Sequence, residues 1–258
     1  RPCMAAHIWI DVDGNLIRHK FRRGIMHSAA RLTYSQVQKA RNGHADDITS
    51  PLMEAVINPL YGAFAALLKN RDKRGVLELD MPERKVQLGP DGSVSAIALR
   101  QRLDSHKLIE EFMICANVAA AETLEKAKIP CLYRVHDEPS QEKLAALGEV
   151  LSSVNISFEK GGVASPKRFN RVLKLAADTA HAEMINVMVL RSQSQALYAP
   201  ANLGHFGLAL RRYCHFTSPI RRYADLIVHR ALIDAGGLGD GGTGGAHADL
   251  DEAGEHIS

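Results

Sequence analysis

The 258-residue chain has few of the features that assign a protein to a class at a glance. It has four cysteines, Cys3, Cys115, Cys131 and Cys214, far apart and without paired ligand spacing, two of them in apolar contexts that predict burial. That excludes a disulfide framework and a cysteine-based metal knuckle, and it predicts reduced thiols in the cytoplasm. No apolar run approaches the roughly 20 residues of a membrane span, and no signal peptide opens the chain, so a membrane is not among the expected partners. Charge of one sign is also scarce. A formal +3 is too weak to argue a polyanionic partner alone, although basic residues cluster locally at Lys20, Arg22, Arg23 and Arg31 and at Arg211, Arg212, Arg221, Arg222 and Arg230. There is no internal repeat and no Asp-rich cluster; Asp46-Asp47 and Asp137-Glu138 are isolated pairs.

What is present is enough apolar residue, 46%, for a substantial core. Segments 3–12 and 16–26 read as a hairpin turning at Asp13-Gly14-Asn15. Asp11-Val12-Asp13-Gly14 has the opening of a calcium loop but lacks its later ligands and terminal Glu. A helix over 52–70 is interrupted near Pro59. Short strands are expected at 75–81, 84–89 and 93–99, then a long central helix from Asp104 to Lys126 in which small residues allow close packing. Strand 131–135, helices near 140–152, 166–177 and 181–194, and a strand pair at 195–199 and 206–213 complete the pattern. The mixture predicts an α+β fold, with a mixed, largely antiparallel sheet surrounded by helices. Residues 1–235 read as one domain. Residues 236–258 read as a Gly-rich, acidic, flexible segment leading out of it.

The most informative stretch is His-Phe-Thr-Ser-Pro-Ile-Arg-Arg-Tyr, residues 215–223. Ser218 as cap, Pro219 at the first helical position and Arg221 and Arg222 in the first turn predict a helix start beside two guanidiniums, which is a phosphate site. The plain alternative is an amphipathic helix with solvated arginines. His205, His215 and His229 flank it at spacings of ten and fourteen. They do not share a helical face and read as hydrogen-bonded structural histidines.

That string, with Gly204-His205-Phe206-Gly207-Leu208-Ala209-Leu210 before it, resembles the catalytic domain of the RNase II/RNase R exoribonucleases. The resemblance extends through Ala30-Arg31-Leu32-Thr33-Tyr34, Lys107-Leu108-Ile109-Glu110-Glu111-Phe112-Met113 and Tyr133-Arg134-Val135-His136-Asp137, in family order, and is nearer the RNase R branch. It implies an RNB-like catalytic domain, incomplete here, of an enzyme that removes nucleotides one at a time from the 3′ end of single-stranded RNA. It assigns Arg221 to the scissile phosphate, Glu110 to orienting an arginine or accepting from a ribose hydroxyl, and Tyr34 to placing the terminal nucleotide. Arg222, Ser218, Thr217, His215 and Tyr223 are implied as RNA contacts. Leu79 stands where some relatives carry a stacking Phe, which implies weaker stacking.

The resemblance also implies Mg²⁺, held by an aspartate cluster expected upstream of Arg1, so no metal ligand is assigned within the chain. OB-type RNA-binding domains are implied as flanking partners. The chain begins without Met at Arg1-Pro2-Cys3 and reads as starting inside a longer polypeptide, inactive by itself. Two alternatives remain: a non-catalytic RNA-binding or scaffold element, and a nucleotide- or phosphometabolite-binding site in an unrelated enzyme.

Overall fold

A computed structural model describes the chain except residues 80, 82–83, 100, 159–163 and 244–248; at Arg84 and Lys85 only the backbone is described. Its elements run β1 (Pro2–Ile10), β2 (Leu16–Ile25), α1 (Tyr34–Arg41), α2 (Asn58–Arg74), β3 (Arg84–Leu88), β4 (Val94–Leu99) and α3 (Asp104–Ala127). They continue with β5 (Tyr133–Val135), α4 (Gln141–Ser153), α5 (Pro166–Ala176), α6 (Ala182–Ser192), β6 (Leu197–Ala199), α7 (Tyr223–Gly236) and α8 (Leu250–Ile257). The architecture is α+β, as the pattern of segments predicts. The described strands pair antiparallel as β1–β2, β3–β4 and β5–β6.

Local chemistry explains the first hairpin. The Asp11 carboxylate accepts hydrogen bonds from the backbone N–H of Asp13 and Asn15 at 2.9 and 2.8 Å, and from the Asn15 side chain at 2.8 Å. These bonds, that from the Asn15 side chain foremost, hold its carboxyl below the usual range. Asp11 therefore closes a turn, the role Asx residues commonly fill. Gly14 sits at φ +74, and a Cβ there would lie 2.1 Å from the Ala66 carbonyl oxygen, so the hairpin tip abuts α2 directly.

The central core forms where α3 offers Ala116, Ala119, Ala120, Ala121 and Leu124 to Phe21, Val135, Phe216, Val228 and Leu232. The alanines let α7 approach α3 closely. Each fully buried Leu or Val contributes about 1.5–3 kcal/mol. A second cluster joins α4, α5 and α6 through Leu147, Leu151, Phe169 and Ile185, and a third joins α1, α2 and α3 through Ala40, Ile57, Tyr61, Phe64 and Leu108.

Five expectations need correction. The helix at 52–70 is preceded by a 3₁₀ turn, Ser50–Leu52, and a π turn, Met53–Ile57, because Pro59 has no N–H to give and its ring crowds the carbonyl four residues back. The resulting run Ser50–Arg74 is long and apolar enough, by length and composition, to cross a membrane, contrary to the expectation that no stretch would be; its Ile57, Tyr61 and Phe64 pack into the third cluster. The described residues of segment 75–81 form no strand. Leu77 N–H donates to the Gly207 carbonyl at 2.9 Å, while the Asn170 side chain of α5 holds Val76 and Glu78.

Segment 206–213 turns instead of running straight, because His205 and Leu210 bond each other and enclose a tight turn. Finally, the last residues of the acidic end form a helix. Asp249 caps α8 by accepting from Asp251 and Glu252 N–H, and α8 packs on β6, with Ser258 Oγ accepting from Tyr198 N–H at 2.8 Å. In the described part of the Gly-rich stretch, up to Thr243, Arg23 donates to the Leu238 and Asp240 carbonyls, and Thr243 donates to Asp234.

Candidate functional site

The polypeptide from Tyr213 to Phe216 is fixed to α3 by Asn117. This buried amide donates to the Tyr213 hydroxyl at 2.9 Å and accepts from Phe216 N–H at 2.9 Å, while its carbonyl accepts from the Cys214 thiol at 3.5 Å. Asn117 is seven residues, two helical turns, from Glu110, so both occupy one side of α3. Burial pushes the Tyr213 phenol above its usual value; the Arg222 guanidinium opposes that and the Glu110 carboxylate adds to it.

Beyond Phe216 the expected helix start is not where the Ser-Pro signal puts it. Ser218, Pro219, Ile220 and Arg221 form a turn in which Arg221 N–H donates to the Ser218 carbonyl at 3.2 Å, and α7 begins at Tyr223 with extended Arg222 before it. Ser218 followed by Pro is as much the opening of a β-turn as of a helix, and here the turn wins. Its shape is held by Asp225, which is 0% exposed. Asp225 accepts from Ser218 N–H at 2.7 Å and, through both oxygens, from Arg222 Nε at 2.7 Å and its terminal nitrogen at 2.9 Å. A carboxylate gripping a guanidinium by two parallel bonds is among the stronger polar contacts available.

The consequence separates the two arginines. Arg222 is committed to Asp225, with a further 3.5 Å approach to Thr217 Oγ1. Arg221 is exposed, and its guanidinium has no hydrogen-bond or ion-pair partner among the described residues. Of the five basic residues in this part of the chain, Arg212 is also spent, on Glu122 and Glu125, and Arg230 on the Gly242 carbonyl. His215 is part-buried and shares a 2.7 Å hydrogen bond with the Tyr198 hydroxyl. Burial lowers its pKa to about 4, with the Arg222 charge, and to a smaller extent the Arg221 charge, acting in the same direction. Tyr223 is exposed at the first position of α7.

Glu110 is half exposed and pairs with Arg102. Its neighbour Glu111 is 4% exposed and is held by Arg71 at 2.6 Å, with Arg74 at 3.8 Å. The two carboxylates lie in the second turn of α3, beyond the first turn where a helix dipole acts most strongly. Both line a cleft of about 160 Å³ with Arg71, Glu78, Arg102 and Lys107. Tyr34 opens α1, stacks on His106 with ring centroids 4.2 Å apart, and lines a larger cleft of about 830 Å³ that also reaches Arg102. His106 Nδ1 in turn accepts from Leu103 N–H at 3.2 Å. Arg102 thus lines both the Tyr34 and the Glu110 clefts. Arg221 itself lines neither cleft. Leu79 lies apart from all of these, part-buried against the cluster of α4, α5 and α6.

Asp225, Asn117, Tyr213, Arg102 and His106 are the positioning groups that sequence reasoning missed. Only Asp225 left a readable signal, three residues after Arg222 on a helix. Among the described residues no three His, Cys, Asp or Glu side chains converge in a group that fits a metal ion. His229 is engaged with the Phe216 carbonyl at 2.8 Å, and His205 accepts from Leu208 N–H at 3.3 Å.

Comparison with known proteins gives consistent results. The RNB domain model matches residues 1–235. Ribonuclease R of Escherichia coli K12 is 40% identical over 269 aligned positions, covering all of this chain and 33% of that protein. The chain thus spans about a third of the length of the curated relative it matches. Among solved structures, Mycoplasma genitalium RNase R in complex with double-stranded RNA superposes with a TM-score of 0.88 at 26% identity, covering the whole chain and 46% of that one. Yeast Ssd1, a pseudonuclease, shares the fold at a TM-score of 0.70 and 17% identity, over the whole chain and 31% of Ssd1.

Proposed function

Because this chain belongs to the RNB-domain family, we propose that it forms the larger part of the catalytic domain of a processive 3′-to-5′ exoribonuclease that hydrolyses single-stranded RNA to 5′-mononucleotides. The observation that carries this reading is the turn at Ser218–Arg221. Asp225 absorbs one guanidinium to build the turn and leaves the adjacent one, Arg221, free for an anion.

The chain's own contribution is positional and electrostatic. Arg221 meets the non-bridging oxygens of the scissile phosphate and stabilises the charge that builds there as water attacks phosphorus. Glu110, released from or shared with Arg102, accepts from a ribose hydroxyl, the group that distinguishes RNA. Tyr34, backed by His106, supplies a ring face for the terminal base, and Tyr223, Thr217, Ser218 and His215 border the path of the strand. Arg222 acts through Asp225 and not by direct contact. Mg²⁺ binding is assigned to carboxylates outside residues 1–258, and RNA-binding OB-type domains to the remainder of the polypeptide. Four unpaired cysteines support a cytoplasmic setting.

In the intact protein, Arg221→Ala is expected to lower turnover by about 10²–10³ with little loss of RNA affinity, as for removal of one group that stabilises transition-state charge. Equal losses in turnover and affinity would assign Arg221 to binding alone. A second reading, an RNA-binding element without catalysis, is favoured by the lack of a metal-ligand cluster among the described residues. Magnesium-dependent release of mononucleotides by the intact protein decides against it.

A further inference from the structure

The β1–β2 hairpin has two unlike faces. Met4, Ala6, Ile8, Leu16 and Phe21 pack toward the α3 core. Ala5 stands opposite Arg22, His7 opposite Lys20 and Trp9 opposite Arg18, and directly opposed residues share a face, so these six project the other way. His7, Trp9, Arg18, Lys20 and Arg22 are all exposed, Trp9 by 39%.

Two of the three cations here are unspent, unlike most of those around α3. The side chains of Lys20 and Arg22 have no hydrogen-bond or ion-pair partner among the described residues, and Arg18 lies over the Trp9 ring, 4.0 Å from its centroid. His7 stacks beside Trp9 with centroids 6.3 Å apart and planes 25° from parallel. Three like charges at alternate positions of one strand, about 6.6 Å apart, repel one another, a cost that an anionic ligand of matching period removes. Consecutive phosphates of an unstacked single strand have a comparable period. Two flat rings on the neighbouring strand of the same face suit bases, whereas an acidic protein surface has no use for them.

We propose that the outward face of β1–β2 is a second track for the backbone of single-stranded RNA, separate from the Arg221 turn. It rests on the functional reading above only for the choice of RNA as polyanion.

Trp9 is the single tryptophan of the 258-residue chain, so its emission reports on this face directly. Titration of the chain with long oligouridylate across a range of salt should change Trp9 emission. In the double variant Lys20→Gln, Arg22→Gln the slope of log affinity against log salt should be shallower by about 1.4, two phosphate contacts at about 0.7 each for single strands. The thermal midpoint of the variant should match that of the parent. Unchanged Trp9 emission at saturation, an unaltered salt slope, or equally tight binding of polyglutamate matched in charge would each overturn the proposal. Binding is measured without cleavage, so a catalytically silent chain still gives a result, and failure of the functional reading would be recognised separately.

Discussion

Replacing Asp225 with alanine tests the arrangement around the arginine turn most directly. The carboxylate is 0% exposed and accepts from Ser218 N–H and from Arg222 twice. Removing one partner of a buried ion pair costs about 3–5 kcal/mol, because the other charge is left without compensation. The Arg222 side chain keeps 24% exposure, so water relieves part of that loss and the lower end, about 3 kcal/mol, applies. For a chain of this size each kcal/mol moves the melting midpoint by about 2–4 °C, which gives a drop of about 6–12 °C.

Asp225→Asn keeps the volume and one acceptor for Ser218 N–H but turns amide hydrogens toward Arg222, so it should recover only part of the loss. Replacing both partners with apolar residues, Arg222→Met with Asp225→Leu, should recover most of it. Urea unfolding of the parent and these variants measures each value. An alanine variant within about 0.5 kcal/mol of the parent would refute the claim that this carboxylate organises the turn. In the intact protein the same variant should also lose turnover, since Arg221 is then no longer held in place.

Other consequences are open to measurement. Burial lowers the pKa of His205 to about 3 and of His215 to about 4, against about 6.5 in an unfolded chain. Between about pH 6.5 and those values the unfolded state binds protons that the folded state refuses. Stability should therefore be full above about 6.5 and fall by about 1.4 kcal/mol per pH unit per histidine on acidification. Urea midpoints that stay flat from pH 7 to pH 4.5 would contradict this. Gly254→Ala places a Cβ 2.7 Å from the Tyr198 carbonyl oxygen, so overpacking of about 1–3 kcal/mol should outweigh any gain in helix propensity; faster amide exchange confined to α8 is the expected signature. Residues 1–258 supplied alone with Mg²⁺ and RNA should release no mononucleotide, because no carboxylate cluster is present among the described residues; release above a metal-free control would reverse that expectation.

The elements that could be read in advance were those set by local periodicity. The central helix, expected from Asp104 to Lys126, spans Asp104–Ala127, since apolar and small residues at helical spacing specify one buried stripe with little help from elsewhere. The first hairpin was legible for a similar reason, its turn chemistry being confined to Asp11–Asn15. The arginine turn was not, because Ser-Pro begins helices and turns alike, and the choice is made by a carboxylate on the following helix. Segment 75–81 has the composition of a strand but finds a side chain of α5 and the Gly207 carbonyl in place of a neighbouring strand. Helix α8 was hidden by its acidic composition, which says nothing about the groove under Tyr198 that accepts Gly254. Of the site, Tyr34, Glu110 and Arg221 were named from motif resemblance, whereas Asn117 and His106 emerge only once α3 is seen as their common support, and Arg102 only through its pairing with Glu110.

Because α3 carries both Glu110 and the amide that anchors the arginine turn, it serves as a measuring rod within the domain. Side chains along the interval between residues 110 and 117 can be exchanged without altering that gauge. Insertion or deletion of a single residue there cannot be absorbed in the same way: it swings the carboxylate about 100° around the helix axis relative to Asn117 and shifts it about 1.5 Å along it. Length is the protected property of this segment, more than composition.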